Sequence, residues 1–427
     1  MKNYDYYAKR IKKKYHFATM EDSKETLVYD KGVYKSGGEI IIEKECEGII
    51  FKCSKHDCIE VLYKIKRLTY VSRNIFDSDP NSINVKNGIL DMRTGKISNH
   101  SHEKFFRRQI PVIYDPRVGP EKYMKFLMTS LPDVVNRTKA IEAFASLLIL
   151  DFKLEKMFIN EGEGANGKST YLGSMEIFIG ESNVTNISLH ELLKDKHLKA
   201  ELDGKIANIH TDISKKEILE LGPVKALISG DSIIAHKKFG QPFKFKNKSR
   251  LYYSCNQLPE LREDGHAVFR RLYLISWKKV FSNDGPDRIN PNLLNEITTE
   301  SELSGILNLL INVAQRIKKK GHLSYDENTQ ELRNKWSDIS NSIGKFLESH
   351  VVKNHETRVT KKEIYDEYCQ WCHGKKITPQ SNRVFNEKLS DHFQIEPSNM
   401  RIGHTIKKVW KGIEIIPNVT NVTVVAA

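Results

Sequence analysis

The stretch EKMFINEGEGANGKSTYLGSMEIFIG, residues 155–180, contains the clearest structural signal in this 427-residue chain. An apolar run at 157–159 is followed by GEGANGKS, residues 162–169, which fits the phosphate-binding pattern G-x-x-x-x-G-K-[ST]. Glycines allow backbone N–H groups to turn toward phosphate oxygens, and the start of the next helix adds partial positive charge. The stretch therefore predicts a strand, a nucleotide-binding loop and a helix, in that order.

Two side chains of this loop have predicted roles in the chemistry. Lys168 is expected to reach the β- and γ-phosphates of ATP, and Ser169 to coordinate Mg²⁺. ATP and Mg²⁺ are therefore the predicted cofactors. The predicted nucleotide contacts are Gly162, Gly164, Ala165, Asn166, Gly167, Lys168, Ser169 and Thr170.

Two later apolar runs, 205–212 and 250–255, predict further strands separated by helical stretches. This alternation is typical of an α/β fold with a parallel sheet. Asp212 ends the first run and is a candidate to hold the metal or polarise water. Asn256 follows the second run and is a candidate to sense the γ-phosphate or orient water, although an Asn at a strand end is also a common turn former.

Arg270 and Arg271 precede one more apolar run. Paired arginines at this place fit either an ordinary surface or an arginine finger, which stabilises the charge of a phosphoryl-transfer transition state. The segment SNDGPDRINPN, residues 282–292, then has the composition of a linker.

A strongly basic segment, HKKFGQPFKFKNKSR at 236–250, lies between the two strand-end residues. Pairing its halves as a hairpin places Lys237, Lys238 and Phe239 at the tip, while the lysines of the stem alternate along one face. Two cations and an aromatic ring suit a nucleic-acid backbone with a base stacked on the ring. The stem lysines equally fit a solvated surface.

The composition narrows the class of protein. Hydrophobic residues make up 39% and charged residues 29%, as in soluble globular proteins, and the formal charge of +14 favours a polyanionic partner such as nucleic acid. The first twenty residues lack the apolar core of a signal peptide, and no run approaches the roughly 18 apolar residues of a spanning helix. We therefore expect a cytoplasmic protein without a membrane partner.

Six cysteines in a cytoplasmic chain are expected to be reduced thiols. The segment CEGIIFKCSKHDC offers four possible zinc ligands, but it lacks the paired C-x₂-C spacing of common zinc modules. Small buried thiols are the alternative. The four residues are Cys46, Cys53, His56 and Cys58.

Changes in pattern divide the chain into four predicted domains. In the first, the runs at 38–44 and 47–53 predict strands, and the run at 58–71 predicts a helix. The four are an N-terminal α+β domain (1–115), a small helical oligomerisation domain (116–152), an ATPase core (153–328) and a C-terminal domain (333–427).

Three amphipathic helices and a two-stranded basic ribbon, MRIGHTIKKVWKGIEII at 400–416, predict a winged helix in the last hundred residues. Winged helices bind DNA or serve as protein–protein modules, and the basic ribbon favours DNA. Residues expected at the third helix are Gln380, Asn382, Arg383 and Lys388. The predicted DNA contacts are Arg383, Lys407 and Lys408.

The order of these motifs resembles that of the superfamily-3 helicases of viruses, phages and plasmids. It comprises the GKS loop, a single strand-end acid, LISGD at 227–231, a basic hairpin, a strand-end Asn and an Arg pair. More specifically, NVKNGILDMRTGKISNH, ELSGILNLL and IYDEYCQWC are similar to segments of the phage and poxvirus primase-helicase branch. The resemblance covers roughly residues 80–415.

The resemblance implies a hexameric AAA+ ring that moves 3′ to 5′ along single-stranded DNA, with ATP bound between subunits. The loop residues Lys168 and Ser169 would act with Asp212 and Asn256 from one side. Arg271, with Arg270 as the less favoured choice, would reach in from the neighbouring subunit. The hairpin tip would face the central channel and contact DNA.

Most members of that branch carry a primase domain upstream, and the roughly 80 residues before the shared region are too few for one. We therefore expect a replication initiator and helicase of a phage, plasmid or genomic island, without primer synthesis. Its expected partners are single-stranded and forked DNA, origin duplex, and a host or element-encoded primase or polymerase. The alternatives are an origin-binding initiator whose ATPase is only an assembly switch, and a P-loop kinase.

Overall fold

The computed structural model describes residues 2–149, 154–211, 213, 222–236, 238, 240–256, 258–259, 266–282, 284, 288–375, 377, 379–402 and 405–416. These residues form two compact units. The first contains the described residues up to 256 and those of 270–327, and the second contains those of 257–269 and 328–416.

The first unit begins with a small α+β region. Its helices are α1 (Tyr4–Lys14), α2 (Gly38–Ile49) and α3 (Lys55–Thr69), and its strands are β1 (Phe17–Met20), β2 (Thr26–Asp30), β3 (Val33–Lys35) and β4 (Tyr70–Val71). The sheet order is β3-β2-β1-β4, in which β1 and β4 run parallel and the other neighbours antiparallel.

The strands expected at 38–44 and 47–53 are wrong, because α2 covers the whole first segment and the start of the second, and the rest of the second forms no strand. The consecutive isoleucines suggested a strand, but Ile40 is 71% exposed, so the run is not buried continuously. The residues that α2 buries recur every four positions, which is the spacing of one helix face. They are Gly38, Ile42 and Cys46.

The helix predicted from residue 58 is confirmed as α3, which begins three residues earlier. Ser54 accepts a hydrogen bond from the backbone of Asp57, and the Asp57 side chain accepts one from the backbone of Ser54. This capping box satisfies backbone donors that the first helical turn leaves free, and so fixes where the helix starts.

An antiparallel meander, β5 (Ser82–Val85), β6 (Gly88–Asp91) and β7 (Ile97–Ser98), comes next. The helices α4 (Glu121–Ser130) and α5 (Val134–Ala145) follow and confirm the helical spacing between 116 and 152. Gly305 of a later helix lies so close to the chain before α4 that a Cβ there would be 2.3 Å from the carbonyl carbon of Gly119.

The strand, loop and helix predicted at 155–180 are confirmed. The strand β8 is Met157–Glu161, and the helix α6 is Lys168–Ile179. The remaining elements are β9 (Val184–Thr185), α7 (Leu189–Lys194), α8 (Lys196–Ala200), β10 (Ala207–His210), α9 (Gly222–Ser229), β11 (Ser232–His236), β12 (Pro242–Lys246), β13 (Arg250–Cys255), β14 (Leu272–Ser276), α11 (Leu293–Ile297) and α12 (Glu300–Lys320).

A five-stranded sheet with the order β14-β8-β13-β10-β9 forms the centre of the first unit, and all its neighbouring strands are parallel. The α/β prediction is therefore confirmed. Its strands are apolar because a parallel sheet is covered on both faces, and Phe158 stacks on Tyr252 with ring centroids 4.8 Å apart. The carboxyl ends of β8, β13 and β10 consequently meet at one edge.

The second unit contains α10 (His266–Phe269), α13 (Thr329–Ser340), α14 (Ser342–His350), α15 (Lys361–Gly374) and α16 (Asn382–Phe393), with β15 (Val351–Thr360), β16 (Ser398–Ile402) and β17 (Thr405–Ile415). The strands pair antiparallel in the order β15-β17-β16, so the predicted two-stranded ribbon is confirmed as β16 and β17. Phe346, Tyr368 and Phe385 pack together in the core of this unit.

In the part of the chain that the structure describes, no helix combines the length and the apolar character that crossing a membrane requires.

Candidate functional site

The loop between β8 and α6 has a backbone that demands glycine at two points. Gly162 and Gly167 have φ angles of 149° and 95°. A Cβ at Gly162 would lie 2.2 Å from the carbonyl oxygen of Trp277, and one at Gly167 would lie 2.9 Å from the Ser130 hydroxyl. Gly164, by contrast, has nothing within 4 Å of its Cβ position, so the middle of the loop borders open space.

Lys168 turns back into this loop. Its side-chain nitrogen donates hydrogen bonds to the carbonyl oxygens of Gly162 and Glu163, the latter at 2.9 Å, and to Oδ1 of Asn166 at 3.2 Å. Burial lowers the pKa of Lys168 below its ordinary value of 10.5. A cation surrounded by neutral acceptors in a buried loop is suited to bind the oxygens of an anionic phosphate.

Asn166 ties the loop to the chain that follows β14. Its Nδ2 donates to the carbonyl oxygen of Trp277 at 3.1 Å, and the backbone N–H of Phe281 donates to the carbonyl oxygen of Ala165 at 2.7 Å. Both bonds hold the loop to the segment after β14, which pre-organises its N–H groups for a ligand.

A cleft of about 600 Å³ opens beside the loop, a size typical of small-molecule sites. The lining includes the loop residues from 164 to 170 and the apolar side chains of Phe126, Phe281, Ile289 and Leu293. A cleft that combines a phosphate-binding loop with apolar side chains can accommodate a molecule that carries both phosphates and a flat apolar ring.

Part of the segment with the composition of a linker, 282–292, belongs to this site. Its residues Arg288, Ile289 and Asn290 line the cleft, as do Lys122 and Lys125 of α4. Sequence reasoning missed all five, because composition shows only that a segment is irregular and not what it packs against. The Pro and Gly content of the segment gave no signal that could have identified them.

The strand-end residues reach the cleft as the parallel order of strands requires. Cys255, the last residue of β13, pairs with Glu161 at the end of β8, and the following Asn256 lines the cleft. Thr211, which follows β10, also lines it. Asp212 lies outside the described residues, so its predicted role remains a prediction.

The two predicted finger arginines differ in their surroundings. Arg271 is 9% exposed, and its guanidinium donates to the Ser229 hydroxyl through Nε at 3.0 Å and through Nη2 at 2.8 Å. The Arg270 side chain is 51% exposed, and both guanidinium groups lie 3.6 Å from the Glu155 carboxylate. Arg271 therefore serves the packing of its own unit, and Arg270 is the more accessible of the pair.

The basic segment forms the predicted hairpin, in which β11 and β12 pair antiparallel with His236 opposite Pro242. Phe243 and Phe245 are buried, and the Arg73 guanidinium lies 4.3 Å from the ring centroid of Phe243. Lys238 is exposed near the tip. Lys237 and Phe239 lie outside the described residues.

The stem lysines do not all lie on a solvated face. Lys244 and Lys246 are exposed, as a solvated face requires. Lys248 instead donates to the carbonyl oxygen of Asp77 at 3.2 Å and is half-buried. The hairpin therefore contacts the region before β8 at two places, through Lys248 just beyond its base and through Phe243 near its tip.

In the second unit, the predicted DNA contacts lie on the surface. The Arg383 side chain is 85% exposed and pairs with Glu387 at 3.4 Å, while Lys407 and Lys408 are exposed on β17. Gln380 does not fit the prediction, since its side chain is buried and it precedes α16.

Three family models match parts of the chain: "Family of unknown function (DUF5906)" at 161–271, "D5 N terminal like" at 9–135 and "Poxvirus D5 protein-like" at 339–417. A curated relative, "Putative helicase L207/L206" of Acanthamoeba polyphaga mimivirus, is 22% identical over 342 residues, which are 72% of this chain. The chain spans about a third of that relative's length, since the match covers 33% of it.

Among solved structures, two of the NrS-1 C-terminal region match with TM-scores of 0.54 and 0.50 at 12% and 13% identity. Each match covers 96% of this chain and 100% of the other. At such low identity the likeness concerns the fold alone. Together the family models and the curated relative support a relationship to the D5-like primase-helicases of phages and poxviruses.

Proposed function

We propose that this chain is an ATP-dependent DNA helicase that acts in the initiation of replication of a phage, plasmid or genomic island. In this proposal it has an AAA+ core, assembles as a hexameric ring and moves 3′ to 5′ on single-stranded DNA. The observation that carries the proposal is the glycine loop with Lys168 turned into it, beside a nucleotide-sized cleft.

ATP would bind with its phosphates on the loop and its base against apolar side chains of the cleft. The loop N–H groups and Lys168 would hold the β- and γ-phosphates, and Asn256 would orient the attacking water. Ser169 lines the cleft and would hold Mg²⁺ together with Asp212. When bound, Mg²⁺ neutralises charge that develops on the phosphate oxygens.

An arginine from a neighbouring subunit would complete the site. Of the two candidates, we propose Arg270 as the residue that crosses to the neighbour, because its side chain is exposed whereas that of Arg271 is engaged with Ser229. This choice reverses the preference that the sequence alone suggested. Arg271 would then act by holding the turn that presents Arg270.

The test of this function is ATP hydrolysis by the purified chain with and without single-stranded DNA. We expect hydrolysis that requires Mg²⁺, rises with DNA and disappears in Lys168→Ala. A P-loop kinase would instead transfer phosphate to a small acceptor and ignore DNA. Hydrolysis that DNA leaves unchanged would count against a DNA motor.

A second candidate is an origin-binding initiator whose ATPase is only an assembly switch. The exposed Lys407 and Lys408 on the ribbon of the second unit favour it, because they suit a duplex backbone. The two candidates differ at the hairpin of the first unit. Lys237→Ala combined with Lys238→Ala should remove unwinding from a motor and leave a switch unaffected.

A further inference from the structure

The corner between α2 and α3 brings two cysteine thiols and a carboxylate together. The Sγ atoms of Cys53 and Cys58 are 3.5 Å apart, and a carboxylate oxygen of Glu47 lies within 4.8 Å of both. Among the residues that the structure describes, this is the one cluster of three or more His, Cys, Asp or Glu side chains with metal-ligand spacing.

A third thiol adjoins this cluster. Cys46 is fully buried on α2, one residue before Glu47. It is not among the three residues whose ligand atoms all lie within 4.8 Å of one another, so the cluster consists of two thiols and one carboxylate.

Packing alone explains part of this arrangement. Cys53 precedes the N-cap Ser54, and Cys58 is the fourth residue of α3, which are the two positions of a hydrophobic staple. A pair of small thiols serves that purpose. An adjacent carboxylate, however, does not strengthen a hydrophobic staple. Its charge opposes the burial of apolar groups and disfavours the thiolate form of neighbouring cysteines.

We propose that Cys53, Cys58 and Glu47 bind a thiophilic divalent cation of the Zn²⁺ class. Zinc bonds thiolate sulfur at about 2.3 Å in tetrahedral geometry, which sets sulfur atoms roughly 3.8 Å apart. The 3.5 Å separation of the Cys53 and Cys58 sulfurs is close to that value. Carboxylate oxygen completes such sites at about 2.0–2.2 Å.

This ligand set differs from the one that the sequence offered. His56 is exposed, and its ring meets the edge of Tyr4 with centroids 6.2 Å apart, so it belongs to the packing of α1 on α3. Glu47 replaces His56 as a proposed ligand, because α2 is a helix and the last turn of α2 lies beside the start of α3. A strand over 47–53 would not have done so.

The cation would have a structural role, since it would join the end of α2 to the start of α3. The same corner already contains a polar anchor, in which Lys2 and Tyr4 contact the Asp57 carboxylate at 2.6 and 2.9 Å. A metal would fix the loop between the helices, where Phe51 is 83% exposed. The proposed ATPase site plays no part in this inference.

Titration of the metal-free, reduced full chain with Co²⁺ tests the proposal. We expect a thiolate-to-cobalt charge-transfer band and tetrahedral d–d bands that saturate at one equivalent, and that Zn²⁺ abolishes them. Cys53→Ser combined with Cys58→Ser should lose the bands, and Glu47→Gln should weaken Co²⁺ binding at least tenfold. The control Cys369→Ser, which changes another half-buried thiol, should bind Co²⁺ like the wild type.

A second measurement distinguishes the loss of metal binding from misfolding of a variant. Zn²⁺ should raise the thermal unfolding midpoint of the wild type and of Cys369→Ser, but not that of the double variant, while all three bind ATP equally. Absence of the bands from the wild type would overturn the proposal, as would equal bands in the double variant. So would a Cys53–Cys58 disulfide that forms on air oxidation even when Zn²⁺ is present.

Discussion

Lys168 illustrates what a residue pattern can and cannot predict. The glycine spacing identified the loop because only particular residues tolerate its backbone, as the positive φ angles of Gly162 and Gly167 require. The pattern says nothing about the neighbours that hold the loop, such as Trp277 and Phe281, which come from more than 100 residues away. Contacts of that kind depend on the tertiary fold.

Replacing Lys168 by Ala should remove ATP hydrolysis while leaving the fold intact. The expected loss is about 10²–10³-fold or more, by analogy with the removal of one donor that stabilises transition-state charge. The measurement is steady-state phosphate release, with thermal unfolding as the folding check. The matched control is Lys205→Ala, because Lys205 is also half-buried and donates to a backbone carbonyl, that of Ser182 at 2.7 Å, away from the cleft.

We expect Arg270 to act in ATP hydrolysis and Arg271 to stabilise the fold. Arg271→Ala should lower the free energy of unfolding by roughly 1–3 kcal/mol, because it leaves the buried Ser229 hydroxyl without its guanidinium partner. Arg270→Ala should leave stability unchanged and reduce ATP hydrolysis, since its side chain is exposed. Chemical denaturation and ATPase rates of the two variants check this. The opposite pattern would restore Arg271 as the proposed finger.

At the scale of elements, the hairpin and the helix α2 show why some predictions succeeded and one failed. Strand pairing in the hairpin follows from alternation, which Phe243 and Phe245 display by burying every second residue. The α2 segment has consecutive isoleucines, and a short apolar run fits a strand or a helix equally. Its burial at every fourth residue becomes visible only once the structure is known.

The hairpin tip should be required for unwinding but not for ATP hydrolysis. Lys237→Ala with Lys238→Ala removes two cations that would contact the phosphate backbone, so strand displacement should fall while ATP hydrolysis without DNA persists. The matched control is Lys244→Ala with Lys246→Ala, which removes the same charge from the exposed stem. If both double variants lose unwinding equally, the total positive charge of the hairpin, and not its tip, supports unwinding.

The ribbon of the second unit should contribute to duplex binding through charge. Lys407→Ala with Lys408→Ala should weaken binding and reduce the slope of log K against log salt concentration by about 2, since each phosphate contact contributes about 0.9. Fluorescence anisotropy with a labelled duplex at several salt concentrations measures this slope. An unchanged slope would mean that the ribbon serves as a protein–protein surface.

For the whole molecule, the alternation of apolar runs with helical stretches predicted the α/β class, and the residues that follow β8, β13 and β10 lie at the carboxyl edge of the parallel sheet. Composition did not indicate that Arg288, Ile289 and Asn290 line the cleft. The number of subunits in an assembly likewise depends on contacts between chains, which the fold of one chain does not determine. The hexameric ring therefore rests on the proposed function.

If each active site takes residues from two subunits, mixing two different variants of the chain has a specific expected result. Lys168→Ala subunits retain a working arginine, and Arg270→Ala subunits retain a working loop. Mixing the two inactive variants should therefore regain part of the ATPase activity if each site takes residues from both subunits. Mixing Lys168→Ala with a Lys168→Ala, Arg270→Ala double variant is the control, and activity there would contradict the prediction of a shared site.

Strand displacement on a forked DNA duplex tests the central claim most directly, namely that ATP bound at the Lys168 loop drives movement along DNA. With ATP and Mg²⁺ we predict release of the labelled strand by the wild type from forks with a 3′ single-stranded tail, and none by Lys168→Ala. ATP hydrolysis without any strand release, under conditions where the chain binds the fork, would contradict the account.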